Sequence, residues 1–500
     1  MKLPFPSRRA AEPGRPVRPA RPARPLLSTM ARLPAIAVAV LCAGCCLPAA
    51  AEDLLEIYAQ ARAADPVLAG ARAVRGEQQE LAVQARAQLL PQWTAQLSES
   101  HTRDDGRQHQ LTHSLNQVLV DLSRLRSWDA AKTLVTAEDA RVRAAEADLC
   151  ARVARAYFGV LNAQATLQTA QAIEDVYGQQ VAQAQSRFDA QLSASLDVEQ
   201  GRAYYELARG NTASVREDLL DARQALAQIT GRMPGELKPL APDLAMLMPD
   251  PADPEAWVTQ ALRDNPSLQA AALAVSAGDQ RVAAARAAHL PTLSAGLDGQ
   301  RLSGPAVAPQ DSGRYTTTVG LKLTIPIFAG GATESQKRQA IYQREQLRDD
   351  LESARRSMTR ETQAQYQAVL SALSQMRTAG AAVQAAEKAL ASTRSGLDLG
   401  LRTMTDLLLA IQTQSNARNA WEQARHRYVL SKLLLQQAAG SLGEPELASV
   451  NTLLNPVPTP TPSSTPSSTP SSTPSSTPTS TPTSTSSPTP PVKTVPPAKS

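Results

Sequence analysis

Ala285-Arg286-Ala287-Ala288-His289-Leu290-Pro291 runs into Thr292-Leu293-Ser294-Ala295-Gly296-Leu297, and at the proline the apolar spacing changes from a helical period to strict alternation. The same passage stands 200 positions earlier, as Ala85-Arg86-Ala87-Gln88-Leu89-Leu90-Pro91 followed by Gln92-Trp93-Thr94-Ala95-Gln96-Leu97. Upstream, Asp65-Pro66-Val67-Leu68 returns as Asn265-Pro266-Ser267-Leu268. Downstream the offset becomes 209: Ser186-Arg187-Phe188-Asp189 pairs with Ser395-Gly396-Leu397-Asp398, Leu196-Asp197-Val198 with Thr405-Asp406-Leu407, and Gly231 with Gly440. A unit this long is no solenoid repeat. It is one helix-strand-helix module, present twice.

Each copy opens with a helix start. Asp65 or Asn265 is placed to cap it, and Pro66 or Pro266 sits in the first turn, where a missing N–H costs nothing. After Pro91 and Pro291 come strands: Trp93, Ala95 and Leu97 alternate with Thr94, Gln96 and Ser98, and Leu293, Ala295 and Leu297 with Ser294, Gly296 and Asp298. Val319, Leu321, Leu323 and Ile325 against Thr318, Gly320, Lys322 and Thr324 mark a second strand, with a weaker counterpart near Leu111 to Leu119. The tips between strands are polar, Arg103-Asp104-Asp105-Gly106 in one copy and Gly304 to Gly313 in the other. Runs of about ten residues suit tilted strands across a bilayer.

A long helical stretch follows. Leu149, Val153, Ala156, Val160, Ala163, Leu167 and Ala170 step by four and three, continued through Tyr177, Val181, Ala184 and Phe188. Val369, Leu373, Met376, Gly380, Val383, Glu387 and Leu390 do likewise, which is coiled-coil spacing. One helix from Leu122 to Arg187 would reach roughly 100 Å. Breaks are expected at Asp189 to Asp197 and Asp398 to Asp406, each followed by a helix returning to Gly231 or Gly440.

Composition agrees with rods: hydrophobic residues make up 42% but aromatics only 3%. The net charge of +5 is set by the N-terminus, since eight of the 51 bases and one of the 46 acids fall in residues 1–51, leaving 43 bases against 45 acids. No nucleic-acid partner follows from that balance. Residues 1–51 are expected to be a leader and secretory signal: Arg32, an apolar run from Ala35 to Leu47, and small residues Ala49 to Ala51 before Glu52, with Met30 an alternative start. Cys42-Ala43-Gly44-Cys45 offers lipidation at Cys45 as a rival to plain cleavage. Beyond the leader only Cys150 remains, so no intrachain disulfide can form. The expected organisation is a first repeat over 52–232, a Pro-rich connector over 233–256, a second repeat over 257–446, and a disordered Ser/Thr/Pro tail over 447–500.

Four membrane-length strands cannot span a bilayer alone, because an open sheet leaves its edge N–H and C=O groups bare in hydrocarbon. About eight strands are the minimum for a closed barrel, so four per chain require oligomerisation, and three chains would supply twelve.

The chain resembles the TolC family of outer-membrane factors over essentially residues 52–450. The residues that carry the resemblance are the two Asp/Asn-Pro helix starts, the two Leu-Pro strand starts, Ile325-Pro326-Ile327-Phe328-Ala329-Gly330-Gly331, Ala156-Tyr157-Phe158-Gly159-Val160-Leu161, Gly400-Leu401-Arg402-Thr403 and Asp406-Leu407. Within the family it resembles most the members that export cyclolysin, an adenylate cyclase toxin. The resemblance implies a mainly α fold with membrane β: a homotrimer with a long coiled-coil α-barrel joined to a 12-stranded β-barrel. It implies a type I secretion duct working with a periplasmic adaptor (a membrane fusion protein) and an inner-membrane ABC transporter, with an exported toxin as cargo and outer-membrane lipid around the barrel. A drug or metal efflux duct is the alternative inside the family, and a structural coiled-coil surface protein the alternative outside it.

The resemblance also assigns a periplasmic gate. Arg402 would hold neighbouring coils shut, Asp197 would be one of its partners, and Asp406 would join an acidic ring at the constriction. From spacing alone the three are ordinary solvated residues at helix turns. Three departures stand out: Leu409 replaces a second constriction aspartate, Leu397 a linking tyrosine, and Gln191 a turn glycine that Gly400 retains in the second copy. Trp93 and Phe328 lie at strand ends, where a membrane-interface girdle would sit. His101, His109 and His113 are close in sequence, but their spacing fits no standard zinc pattern. No HExxH, Walker loop, GxSxG or Cys/His nucleophile pair is present. No enzyme activity, cofactor or metal is expected.

Overall fold

The computed structural model describes residues 51–454 apart from Asp104, Asp105 and Ala306. The leader with Met30 and Cys45, the loop residues Asp104 and Asp105, and the Ser/Thr/Pro array beyond residue 454 lie outside them.

The duplication is realised element by element. The first copy is α1 (Leu54–Ala64), α2 (Pro66–Ala87), β1 (Gln92–Thr102), β2 (Gly106–Val120), α3 (Leu122–Asp189) and α4 (Ser195–Thr230). The second is α5 (Pro254–Asp264), α6 (Pro266–Ala287), β3 (Thr292–Ser303), β4 (Tyr315–Thr324), α7 (Ala332–Asp398) and α8 (Met404–Ala439). A last helix, α9 (Glu444–Asn451), follows. Each copy thus has, before the start at Asp65 or Asn265, a short helix that the sequence reading does not identify. Leu54, Ile57, Tyr58 and Ala61 form one buried stripe of α1, and Asp53 starts it with a capping box, accepting from the Glu56 N–H at 2.9 Å while the Glu56 carboxylate accepts from the Asp53 N–H at 3.2 Å.

Residues 447–454, which the sequence reading assigns to the tail, are part of the fold. Leu447, Val450 and Leu454 are buried in the main core, and Leu454 pairs with Leu240 in an isolated antiparallel bridge. Three well-spaced apolar side chains are enough to hold this stretch down before the Ser/Thr/Pro composition takes over.

The helix starts at Asp65 and Asn265 form as their sequences require. Asp65 accepts from the Leu68 N–H and Asn265 from the Ser267 N–H, each at 2.9 Å. Their further partners differ. Arg152 on α3 donates two bonds to Asp65, at 3.0 and 2.8 Å, whereas the Asn265 amide donates to the Ala438 carbonyl at 3.1 Å. One repeat locks its start with a buried ion pair, the other with a neutral amide.

α3 runs unbroken for 68 residues and α7 for 67, lengths of about 100 Å at the usual rise. Leu149, Val153, Val160, Ala170, Tyr177 and Ala184 are buried along the α3 seam. Val369, Leu373 and Met376 are buried on α7, after which the buried position moves to Ala386 and Glu387 turns to solvent. α4 packs back on α3 and α8 on α7, giving two antiparallel hairpins, and α8 also packs on α3. No described helix is long and apolar enough to cross a membrane.

The connector lies against the helices through its carbonyls. Tyr157 donates to the Lys238 carbonyl at 2.9 Å, Arg425 to that of Ala241, Tyr428 to that of Leu247 at 2.6 Å, and the Trp257 indole to that of Pro251 at 2.8 Å. A proline-rich segment cannot satisfy these groups in a regular ladder, so helix side chains do it.

Candidate functional site

The four strands form one antiparallel sheet in the order β1-β2-β3-β4, with the β2–β3 pair joining the two repeats. Residues directly opposite one another share a face. Trp93 stands opposite Leu115, Leu115 opposite Leu297, and Leu297 opposite Val319. Ala295 stands opposite Leu321, and Leu293 opposite Leu323. These residues, with Leu97 and Leu111, make one mainly apolar face, interrupted by His113, Gln117 and Thr317. The other face carries Thr94, Gln96, Ser98, Thr112, Ser114, Asn116, Asp298, Thr318 and Lys322, and is tied by a 2.7 Å hydrogen bond from Ser114 to Asp298.

Both faces are open. Trp93 and Leu321 on the apolar face are each 74% exposed, and no described element covers them. An uncovered apolar face backed by a polar one is what a barrel wall between lipid and a water-filled lumen requires. Among the described residues β1 and β4 each have one unpaired edge.

Trp93 begins β1 as expected, close to His113, whose ring lies 6.3 Å from it and 6.4 Å from Tyr315. Phe328 lies past the end of β4 and is 86% exposed beside Ile327. Register puts His101, His109 and His113 on the apolar side: His101 stands opposite Arg107, His109 opposite Glu99, and His113 opposite Ala95.

The two helix turns lie at the far end of the long hairpins. In the first, Gln191 adopts φ 59°, the left-handed conformation that Gly400 takes in the second at φ 71°. The non-glycine residue holds the shape at some backbone cost. Arg402 and Asp406 come together on the second turn, while Asp197 sits in the first turn of α4.

The Arg402 side chain folds over Gly396, its Cγ 2.8 Å from where a Cβ would stand, so a larger residue at 396 would displace it. Asp406 is part of a capping box with Thr403: its backbone N–H donates to the Thr403 hydroxyl at 3.1 Å, and its carboxylate accepts from the Thr403 N–H at 3.0 Å. That backbone hydrogen bond, then the hydroxyl, then the nearby Arg402 charge hold the Asp406 carboxyl below the ordinary aspartate range. Among the described residues of one chain, no ion pair joins Arg402 to Asp197. Leu397 is partly buried in the small apolar cluster around Leu407, Leu408 and Ile411, so it supplies packing where a tyrosine would supply a hydroxyl. Leu409 is exposed.

Sequence reasoning missed the contacts that join the two hairpins here. Arg187 lies 3.7 Å from Asp398, Thr405 donates to Gln200 at 2.8 Å, and Tyr177 donates to the Leu408 carbonyl at 3.2 Å. The first two pairs lie in or beside the matched repeat segments, but only the fold places one copy's turn against the other's.

The model of the outer membrane efflux protein family matches residues 57–232 and 257–441. The outer membrane protein TolC of Vibrio cholerae is 31% identical over 413 residues, covering 80% of this chain and 93% of that one. The alkaline protease secretion protein AprF of Pseudomonas aeruginosa is 28% identical over 342 residues, 68% of this chain and 71% of that one. Protein CyaE of Bordetella pertussis is a weaker relative, 27% identical over 319 residues, 59% of this chain and 63% of that one. Among solved structures, the outer membrane protein VceC of Vibrio cholerae superposes with a TM-score of 0.67 at 20% identity, covering 77% of this chain and 96% of that one. The Campylobacter jejuni CmeC outer membrane channel does so with 0.68 at 17% identity, covering 80% and 90%. Two matched repeats, an uncovered two-faced sheet and rods of about 100 Å agree with these likenesses, and the chain belongs to the outer membrane efflux protein family, the TolC family of outer-membrane channels that extend into the periplasm.

Proposed function

We propose that three copies of this chain close their twelve strands into one barrel and their long hairpins into a continuous periplasmic tunnel, forming the exit duct of a type I secretion system. Its cargo is a protein toxin of the cyclolysin kind, delivered by an inner-membrane ABC transporter through a periplasmic adaptor. The observation that supports this most is the sheet: among the described residues nothing covers its apolar face or pairs the outer edges of β1 and β4, so the strands need other copies to satisfy their backbone in lipid. Relatives named for protease secretion favour a protein cargo. The duct itself supplies no chemistry, and the energy for transport belongs to the inner-membrane partner.

The tips form the entrance. Among the described residues of one chain Arg402 forms no ion pair and feels only the nearby charge of Asp406, so Asp197 of a neighbouring copy is its natural counterpart. Three Asp406 carboxylates around an axis repel one another, and the Arg402 links offset that repulsion in the closed state.

The family description, efflux, favours a second reading in which the duct serves a drug or metal pump. Deleting the gene separates them. A secretion duct leaves the protein toxin inside the cell while drug sensitivity stays unchanged. An efflux duct leaves toxin export intact and makes the cell sensitive to small toxic compounds.

A further inference from the structure

The apolar face of the sheet changes character toward its tips. Four basic side chains and one tyrosine stand there: His101 and Arg107 opposite each other, His109 opposite Glu99, and Arg301 opposite Tyr315. The register sets all of them on the same side as Trp93, Leu297 and Leu321. Glu99 is the one acid among them. It reaches Arg107 and His109 only at 4.0 Å each, and Arg107 remains 71% exposed. At the opposite end the same face is free of charge, with Leu293, Leu321, Leu323 and Ile325, while Lys322 points to the other side.

Strand tilt brings the basic residues level. Trp93 and Leu293 are equivalent in the duplication, each two residues after its proline, yet the register places Trp93 in line with Leu297 rather than Leu293. Hydrogen-bonded rows therefore climb obliquely across the wall. With ~3.3 Å per residue, ~4.8 Å between strands and a tilt of ~45°, His101, Arg107, His109, Arg301 and Tyr315 fall within roughly 7 Å of one height, about 20 Å outward of Trp93. That separation is close to the height of the apolar band of a membrane barrel.

We infer that His101, Arg107, His109 and Arg301, bordered on the apolar side by the Tyr315 ring, form a docking surface on the lipid side of the barrel for the phosphate groups of a phosphorylated lipid in the outer leaflet. Charge complementarity selects the occupant. Arginine side chains at the edge of hydrocarbon bind phosphate oxygens through paired N–H donors, and the Tyr315 side chain leans inward over Gly299 toward His113, where its ring borders the apolar band. A lipid also covers Leu97 and Leu111 below with its acyl chains, which a free phosphate ion cannot do. The surface thus fixes barrel depth and orients the duct, independently of what passes through it. It rests on the sheet being part of a membrane barrel.

The experiment uses the full chain purified in detergent, titrated with a bis-phosphorylated, multiply acylated glucosamine disaccharide lipid and followed by native mass spectrometry. Chain stoichiometry and conductance are recorded on the same samples, so loss of the barrel is distinguished from loss of the lipid surface. The expected result is retained lipid, with affinity lowered about tenfold or more by R107Q/R301Q, partly restored by R107K/R301K, which keeps the charge but not the paired donors, and unaffected by K322Q on the other face. Millimolar inorganic phosphate should not displace the lipid. Equal binding of the dephosphorylated lipid, or unchanged binding by an intact, conducting R107Q/R301Q protein, would overturn the inference.

Discussion

Asp65 shows how much one side chain can hold. It caps α2 and receives both guanidinium bonds of Arg152 while only 2% of its side chain is exposed. The Arg152 hydrogen bonds, then the Leu68 N–H and the arginine charge, outweigh burial and keep its carboxyl below the ordinary value. Replacing Arg152 by Ala leaves that carboxylate buried and unpaired, at a cost of about 3 kcal/mol. Because the folded pKa is depressed, this contribution is present above about pH 4 and is lost as pH falls through the lower folded value. Denaturation midpoints should therefore separate R152A from the parent at pH 7 and converge in strong acid; equal midpoints at pH 7 would remove Asp65–Arg152 from the account. His426 works in a different window. Burial first, then the Arg425 charge, lower it to about 4, and its Nδ1 lies 2.5 Å from the Asn162 amide oxygen. The folded state excludes a proton the unfolded chain accepts below about pH 6.5, so stability falls between 6.5 and 4 by about 1.4 kcal/mol per pH unit from this group. H426Q should flatten that part of the pH profile, and a profile as steep as the parent's would show that other groups set it. At the entrance, R402S should raise resting single-channel conductance, and conductance equal to the parent's would argue against Arg402 as a latch.

At the scale of elements, the wall is the sharpest case. Leu321 and Thr318 differ only in parity, yet one faces lipid and the other the lumen side. L321R should cost about 2–4 kcal/mol and impair insertion into bilayers, whereas T318R should insert normally. Equal insertion of both variants would mean that the two faces do not see different solvents. Parity was legible in the sequence because alternation is a local property. So were the helix starts at Asp65 and Asn265, where cap, proline and apolar spacing all agree. The helix α1 was missed because only eleven residues separate Asp53 from the next start at Asp65, too few for periodicity to stand out. Asp406 illustrates a different limit. Its place at the turn could be read, but Thr403-x-x-Asp406 is also a capping box, so part of what fixes its identity is the local helix start rather than the constriction. The contacts Arg187–Asp398 and Thr405–Gln200 join residues more than 200 positions apart, and nothing in either local pattern pairs them.

The whole molecule follows from one mismatch between what each chain contains and what a membrane demands. The described residues of each chain supply two rods of 68 and 67 residues, two returning helices of 36 residues, and four strands whose apolar side they leave uncovered. The rods satisfy themselves by pairing within the chain, since α4 covers α3 and α8 covers α7. The sheet cannot. Duplication explains why the strands come in two equal pairs, and the β2–β3 register explains how they join into one wall segment rather than two separate hairpins. Closure then falls to other copies. The most direct test is native mass spectrometry of the full chain purified in mild detergent, paired with single-channel recording in planar bilayers. Three chains per particle with discrete conductance steps is the expected result, and a stable, non-conducting single chain would contradict it.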